Sequence, residues 1–169
     1  MPHISRAAAV PLLLTVLTAL SAGCAGPAET ISIGQSIHHD DFEYSVRRVE
    51  KLDRIGALAP AGVFYVVTFQ VENRAKRVGH EWDNAIAYLV DERGREYENS
   101  TDAQKRLDAL QSFSYRDHYR TSAGNTETTK LVFDLPLTAA SPVLRVRGET
   151  LMGDVFDANR FKRTQVKLY

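Results

Sequence analysis

The stretch GVFYVVTFQVENR, residues Gly62 to Arg74, constrains the fold most. Val63, Tyr65, Val67, Phe69 and Val71 recur with a period of two, which places them on one face of an extended strand. Phe64 and Val66 make the early part of the other face apolar as well. A strand that is apolar on both sides at its start is central in its sheet and covered there.

Other strand signals surround it. ISIGQSIHHDDFEYSV gives a short extended piece, a turn at Gly34, and a strand with Phe42, Tyr44 and Val46 on one face. Val49 breaks that phase, so a bulge or strand end falls near Arg47 and Arg48. Ala85 to Val90 enters a turn at Asp91-Glu92-Arg93-Gly94 and returns through Tyr97 as a hairpin. TETTKLVFDLP puts Leu131, Phe133 and Leu135 inward and closes at Pro136. SPVLRVRG and TQVKLY supply two more strands, with a loop containing Gly, Asp and Asn between them. Thr101 to Gln104 matches a capping box, and Leu107 with Leu110 adds a short apolar stripe, which predicts one inserted helix. The expectation is an all-β chain, an immunoglobulin-like antiparallel β-sandwich of about seven strands with one short helix.

Ile33-Gly34-Gln35, Val71-Glu72-Asn73, Asp91 to Gly94 with Tyr97, and Phe133 to Pro136 occur in that order. In this the chain resembles the telokin-like, immunoglobulin-fold domains of unknown function on exported bacterial lipoproteins, some named for immunoprotective extracellular proteins. The resemblance runs from Ile31 to Gly148. It implies the sandwich and no particular reaction. The chain departs from it at Ala123-Gly124, where Pro usually precedes the glycine, and in the long insertion from Ser100 to His118.

The N-terminal stretch MPHISRAAAVPLLLTVLTALSAGC has one basic side chain, Arg6, and an uncharged run from Ala7 to Leu20. That run is shorter than the roughly 20 apolar residues a membrane span requires. Charged start, short apolar middle and small residues at the end form the pattern of a signal peptide. Leu20-Ser21-Ala22-Gly23-Cys24 resembles the lipobox of bacterial lipoproteins, with the aliphatic residue one position further from the cysteine than is commonest. The resemblance implies cleavage before Cys24 and a thioether from its sulfur to diacylglycerol. The expected division is residues 1–23 as signal peptide, 24–30 as lipidated cysteine and tether, and 31–169 as the sandwich. Cys24 is the only cysteine, so no internal disulfide is available to the exported domain.

The chain balances 21 Lys and Arg against 21 Asp and Glu. Near-neutrality gives no broad pull toward nucleic acid, and none is expected as a partner. His38-His39-Asp40-Asp41 is the most metal-like stretch. Adjacent side chains of a strand point to opposite faces, so His38 and His39 do not share an ion. One of them with Asp41, joined by His80 or His118, is the weak metal candidate; the expectation is a solvated turn and no cofactor. Phe113, Tyr115, Arg116, His118, Tyr119 and Arg120 interleave aromatic and cationic residues, the kind enriched where proteins bind. The alternative is that the aromatic residues pack over a sheet edge. Trp82 reads as a core or loop anchor.

No nucleophile elbow, phosphate-binding glycine loop or zincin helix occurs, and no enzymatic activity is expected. The expected function is a lipid-anchored extracytoplasmic binding or accessory module. It would be held to a membrane through acylated Cys24 and meet a protein of the cell envelope. In a host with two membranes, Ala25 after the cysteine favours the outer one, as the lipoprotein resemblance implies. The alternatives are a metal- or small-molecule-binding lipoprotein and an envelope-polymer hydrolase.

Overall fold

The computed structural model describes residues 28–169. Cys24 and the signal peptide lie outside the described residues.

The chain begins with β1 (Thr30–Ser32), turns at Gly34, and continues through β2 (Ser36–His39) and β3 (Phe42–Leu52). Gly34 has φ +91°, a conformation that L side chains rarely adopt, so the glycine is required by the turn. β4 (Val63–Asn73) is followed by β5 (His80–Asp83), β6 (Ala87–Val90) and β7 (Glu96–Tyr97). Then come α1 (Thr101–Leu110), β8 (His118–Thr121), β9 (Thr126–Leu135) and β10 (Val143–Val146). Two short helices, α2 (Met152–Phe156) and α3 (Arg160–Arg163), lead into β11 (Gln165–Lys167).

The strands form a sandwich. One sheet has the order β1-β11-β10-β6-β7, the other β2-β3-β4-β9, and β5 with β8 makes a separate ribbon. Pairing is antiparallel except between β1 and β11. The described residues thus form eleven strands where about seven were expected, because short strands such as β5 and β8 carry too few residues to show a period.

β4 is central, between β3 and β9, as its pattern predicts. Tyr65, Val67, Phe69 and Val71 join Tyr44, Leu131, Phe133, Leu89, Leu144 and Val166 in the core between the sheets. Phe64 and Val66 face the other way and are covered by Ala103 and Leu107 of α1, with Ile55 and Val132. The phase break in β3 is a register shift between Val46 and Arg48. The hairpin turn closes at Gly94, φ +76°.

Three sequence expectations need correction. Glu29 and Thr30 belong to the fold rather than the tether: the Glu29 carbonyl accepts from the Gln165 amide, and Thr30 opens β1. The loop expected before β11 holds two helices. Thr101 is the first residue of α1 rather than its cap, and Ser100 precedes it without a side-chain cap bond. Gln104, expected to close a capping box, is instead buried and bonded to Asn99 and Thr129.

The register defines two ends. Val63 pairs with Leu135 at one end of β4, and Glu72 with Thr126 at the other. A ten-residue strand spans about 30 Å. The Glu72 end also holds the His39–Phe42 pair and the start of β1, beside the start of β11.

Candidate functional site

At that end a chain of polar side chains runs from half-buried His80 into the core. The alternation of β2 turns Ile37 and His39 inward and leaves Ser36 and His38 exposed. Across the tight turn, β3 supplies Phe42 and Tyr44, both buried. His39 Nε2 lies 2.9 Å from Asp154 Oδ2 in α2 and 2.9 Å from the Glu149 carbonyl. His39 Nδ1 lies 2.9 Å from the Tyr44 hydroxyl, which lies 2.8 Å from His80 Nε2 in β5.

The partners fix one proton position. Asp154 and the Glu149 carbonyl only accept, so Nε2 of His39 carries its proton. The Tyr44 hydroxyl bridges Nδ1 of His39 and Nε2 of His80, donating to one ring nitrogen and accepting from the other. Burial, with His39 nearby, lowers the His80 pKa to about 4, so its ring is neutral at pH 7. Burial, with the Asp154 carboxylate, raises the Tyr44 pKa and keeps the phenol protonated.

Aromatic packing holds the rings in place. His39 stacks on Phe161 at 3.9 Å between centroids, and His80 on Phe42 at 3.9 Å. A Cβ at Gly148 would fall 2.6 Å from His39 Cε1, so that position admits only glycine without a shift. Asp154 also accepts from the Leu151 amide at 2.7 Å, which ties the start of α2 to the same network. The arrangement joins half-buried His80 to buried Asp154 through Tyr44 and His39. It also latches α2 onto β2.

The metal candidates separate. His38 and His118 are exposed, Asp41 is exposed, and both ring nitrogens of His39 already have partners. His39 and His80 meet only through Tyr44. Among the described residues no group of three or more His, Cys, Asp or Glu is placed to hold a metal ion.

The aromatic and basic segment divides in two. His118, Tyr119 and Arg120 lie in β8 rather than in a loop. Tyr119 is buried, stacks on Trp82 at 4.1 Å, and shares a 2.7 Å hydrogen bond with Thr129. Trp82 donates to Thr121 Oγ1 at 2.9 Å, so the pair anchors the ribbon to the core. Asn73 completes that attachment by donating to the Val78 and Thr121 carbonyls. Phe113 is 64% exposed and follows Leu110, 58% exposed, at the end of α1. Tyr115 is half-buried; Arg116 packs over Tyr119 and pairs with Glu127, and Arg120 with Glu81. The accessible part of the segment is therefore Phe113 to Arg116, with Arg120 beside the ribbon.

Sequence reasoning singled out His39 and noted His80, but missed Tyr44 and Asp154 as their partners. Tyr44 reads as an ordinary core position of an alternating strand, and Asp154 as a loop acid. Nothing local signals that β2, β3, β5 and α2 converge.

Sheet order and buried core define an immunoglobulin-like β-sandwich. Residues 31–155 match the family described as "Domain of unknown function (DUF4352)", and the chain belongs to that family. Among solved structures it is similar to the yjhA protein from Bacillus subtilis, with a TM-score of 0.55 and 13% identity, covering 82% of this chain and 98% of that one. It is also similar to MPT63, a secreted protein from Mycobacterium tuberculosis, with a TM-score of 0.55 and 12% identity over 85% of this chain and 98% of the other. A conserved hypothetical protein from Bacillus anthracis shares 18% identity at a TM-score of 0.51, over 69% and 87% of the two chains. No curated protein matches the chain.

Proposed function

We propose that the protein is a lipid-anchored extracytoplasmic binding or accessory module, fastened to a membrane by acylated Cys24 and acting without catalysis on a protein of the cell envelope. The observation that carries this reading is how soon the fold begins after the lipobox-like cysteine. Glu29 is already held by Arg160 at 2.7 Å and by the Gln165 amide. Four residues, Ala25 to Ala28, separate it from Cys24, which leaves room for a tether and for no further domain. The resemblance to telokin-like lipoprotein domains, and the fold likeness to a secreted protein, support a place outside the cytoplasm. In a two-membrane host the outer membrane is the site this reading favours.

The surface for a partner is Leu110, Phe113, Tyr115 and Arg116. Tyr115 and Arg116 are of the types enriched at binding hot spots, and exposed Phe113 adds an aromatic side chain of the kind enriched at interfaces. The experiment is fractionation of cells expressing the full chain. The wild type is expected in the membrane pellet after high-salt washing and released only by detergent. Wild-type protein found wholly in the soluble fraction would overturn the reading.

A further inference from the structure

Helix α2 is inside out. Met152, Val155 and Phe156 are 75%, 60% and 85% exposed, and their i, i+3, i+4 spacing sets them on one helical face. The residue turned inward is Asp154, 3% exposed and held by His39. A short helix that buries its carboxylate and presents its apolar face to solvent contributes little to the core. The latch through His39 fixes that orientation.

We infer that α2 is a membrane-facing surface whose Met152, Val155 and Phe156 enter the interface of the bilayer that holds the acylated cysteine. The inference rests on the anchoring reading above and specifies how the domain sits. Two observations direct it to lipid. The first is position. α2 lies at the end of the sandwich where β1 enters, and α3, four residues on from Phe156, grips Glu29 through Arg160. The second is reach. Five steps along the chain from Cys24 to Glu29, at a contour of at most about 3.6 Å each, keep Glu29 within about 18 Å of Cys24. That is less than the length of β9, so the apolar face of α2 stays near the lipid surface while Leu137, 82% exposed beyond the far end of β9, does not.

Charge does not drive the contact. Arg160, Lys162 and Arg163 are offset by Glu29, Glu149, Asp154 and Asp157, and the Asp40 carboxylate lies against Gly153 of α2. The apolar side chains carry it, at the depth of about 5–10 Å typical of interfacial helices. Binding is therefore expected on neutral lipid and at high salt.

The test uses the full chain purified from membranes, checked by intact mass, and reconstituted in phosphatidylcholine vesicles whose acyl chains are brominated. Phe156→Trp and Val155→Trp report the α2 face and Leu137→Trp the far end. Each is read as a difference from wild type, which keeps Trp82. All three positions are exposed, so the substitutions leave the core intact. The expected result is acylated protein in which Phe156→Trp and Val155→Trp are quenched several-fold more than Leu137→Trp, with no change in high salt. Acylated protein with all three unquenched overturns the surface and leaves the anchor standing. Acylated protein whose α2 probes are shielded from aqueous iodide but not quenched by bromolipid overturns it in favour of a protein contact, such as a second copy. Protein without acyl chains overturns the anchoring reading, and the surface falls with it.

Discussion

His39 Nε2 and Asp154 Oδ2 lie 2.9 Å apart with both side chains nearly inaccessible, joining β2 to a helix close to the end of the chain. Removing one member of a buried pair strands the other away from water, a cost of about 3–5 kcal/mol. His39→Ala is expected to lower the urea midpoint by a corresponding amount. Asp154→Asn added to that variant should cost much less than Asp154→Asn alone, because the two act as a unit. Urea titrations of the four proteins check this; additive losses would mean the pair is not coupled.

The His80 ring makes stability depend on pH. Its pKa is lowered from 6.5 to about 4, by burial first and by neighbouring His39 second. Between those values the unfolded chain binds the proton and the folded one does not, so stability rises with pH. The contribution is complete above the unfolded pKa and is lost as pH falls from about 6.5 toward about 4. The ring is only half-buried, and solvent screening reduces the effect to about 1–2 kcal/mol. His80→Gln should flatten the stability profile over that window, measured by denaturation at a series of pH values.

Asp91 acts at lower pH. Its burial would raise the pKa, but the Arg95 and Arg93 amides, the Arg95 guanidinium and the Tyr97 hydroxyl outweigh it and lower the value from 3.8 to about 2. A depressed carboxylate pKa stabilises the fold above the unfolded value and ceases to do so as pH falls through the folded one. Asp91→Asn is expected to remove the pH dependence between about 4 and about 2, and to loosen the β6–β7 turn in hydrogen exchange.

The Trp82–Tyr119 stack pins the β5–β8 ribbon to the core. Trp82→Ala should cost about 3–5 kcal/mol, as large aromatic truncations do. The wild-type Trp82 fluorescence should be blue-shifted and resist iodide. Emission typical of an exposed indole would contradict the burial.

What the sequence disclosed follows the length of its periods. β4 has eleven residues of near-perfect alternation, so its central place, both covered faces and the neighbouring bulge were all readable. β5 and β8 have four residues each, and their pairing depends on Trp82, Tyr119 and Asn73. α2 escaped notice for a different reason. Its apolar residues point outward and its acid inward, which inverts the pattern by which a soluble helix is recognised. The network that holds it depends on contacts between distant segments, and only His39 stood out, for its neighbours in sequence rather than its partners in space.

Acylation of Cys24 is tested most directly by the intact mass of the full-length product taken from its native membrane fraction, beside a Cys24→Ala variant. The predicted result is a chain beginning at residue 24 and carrying two or three acyl chains, with that species missing from the variant. An unmodified chain beginning at another residue and found in the soluble fraction would contradict it.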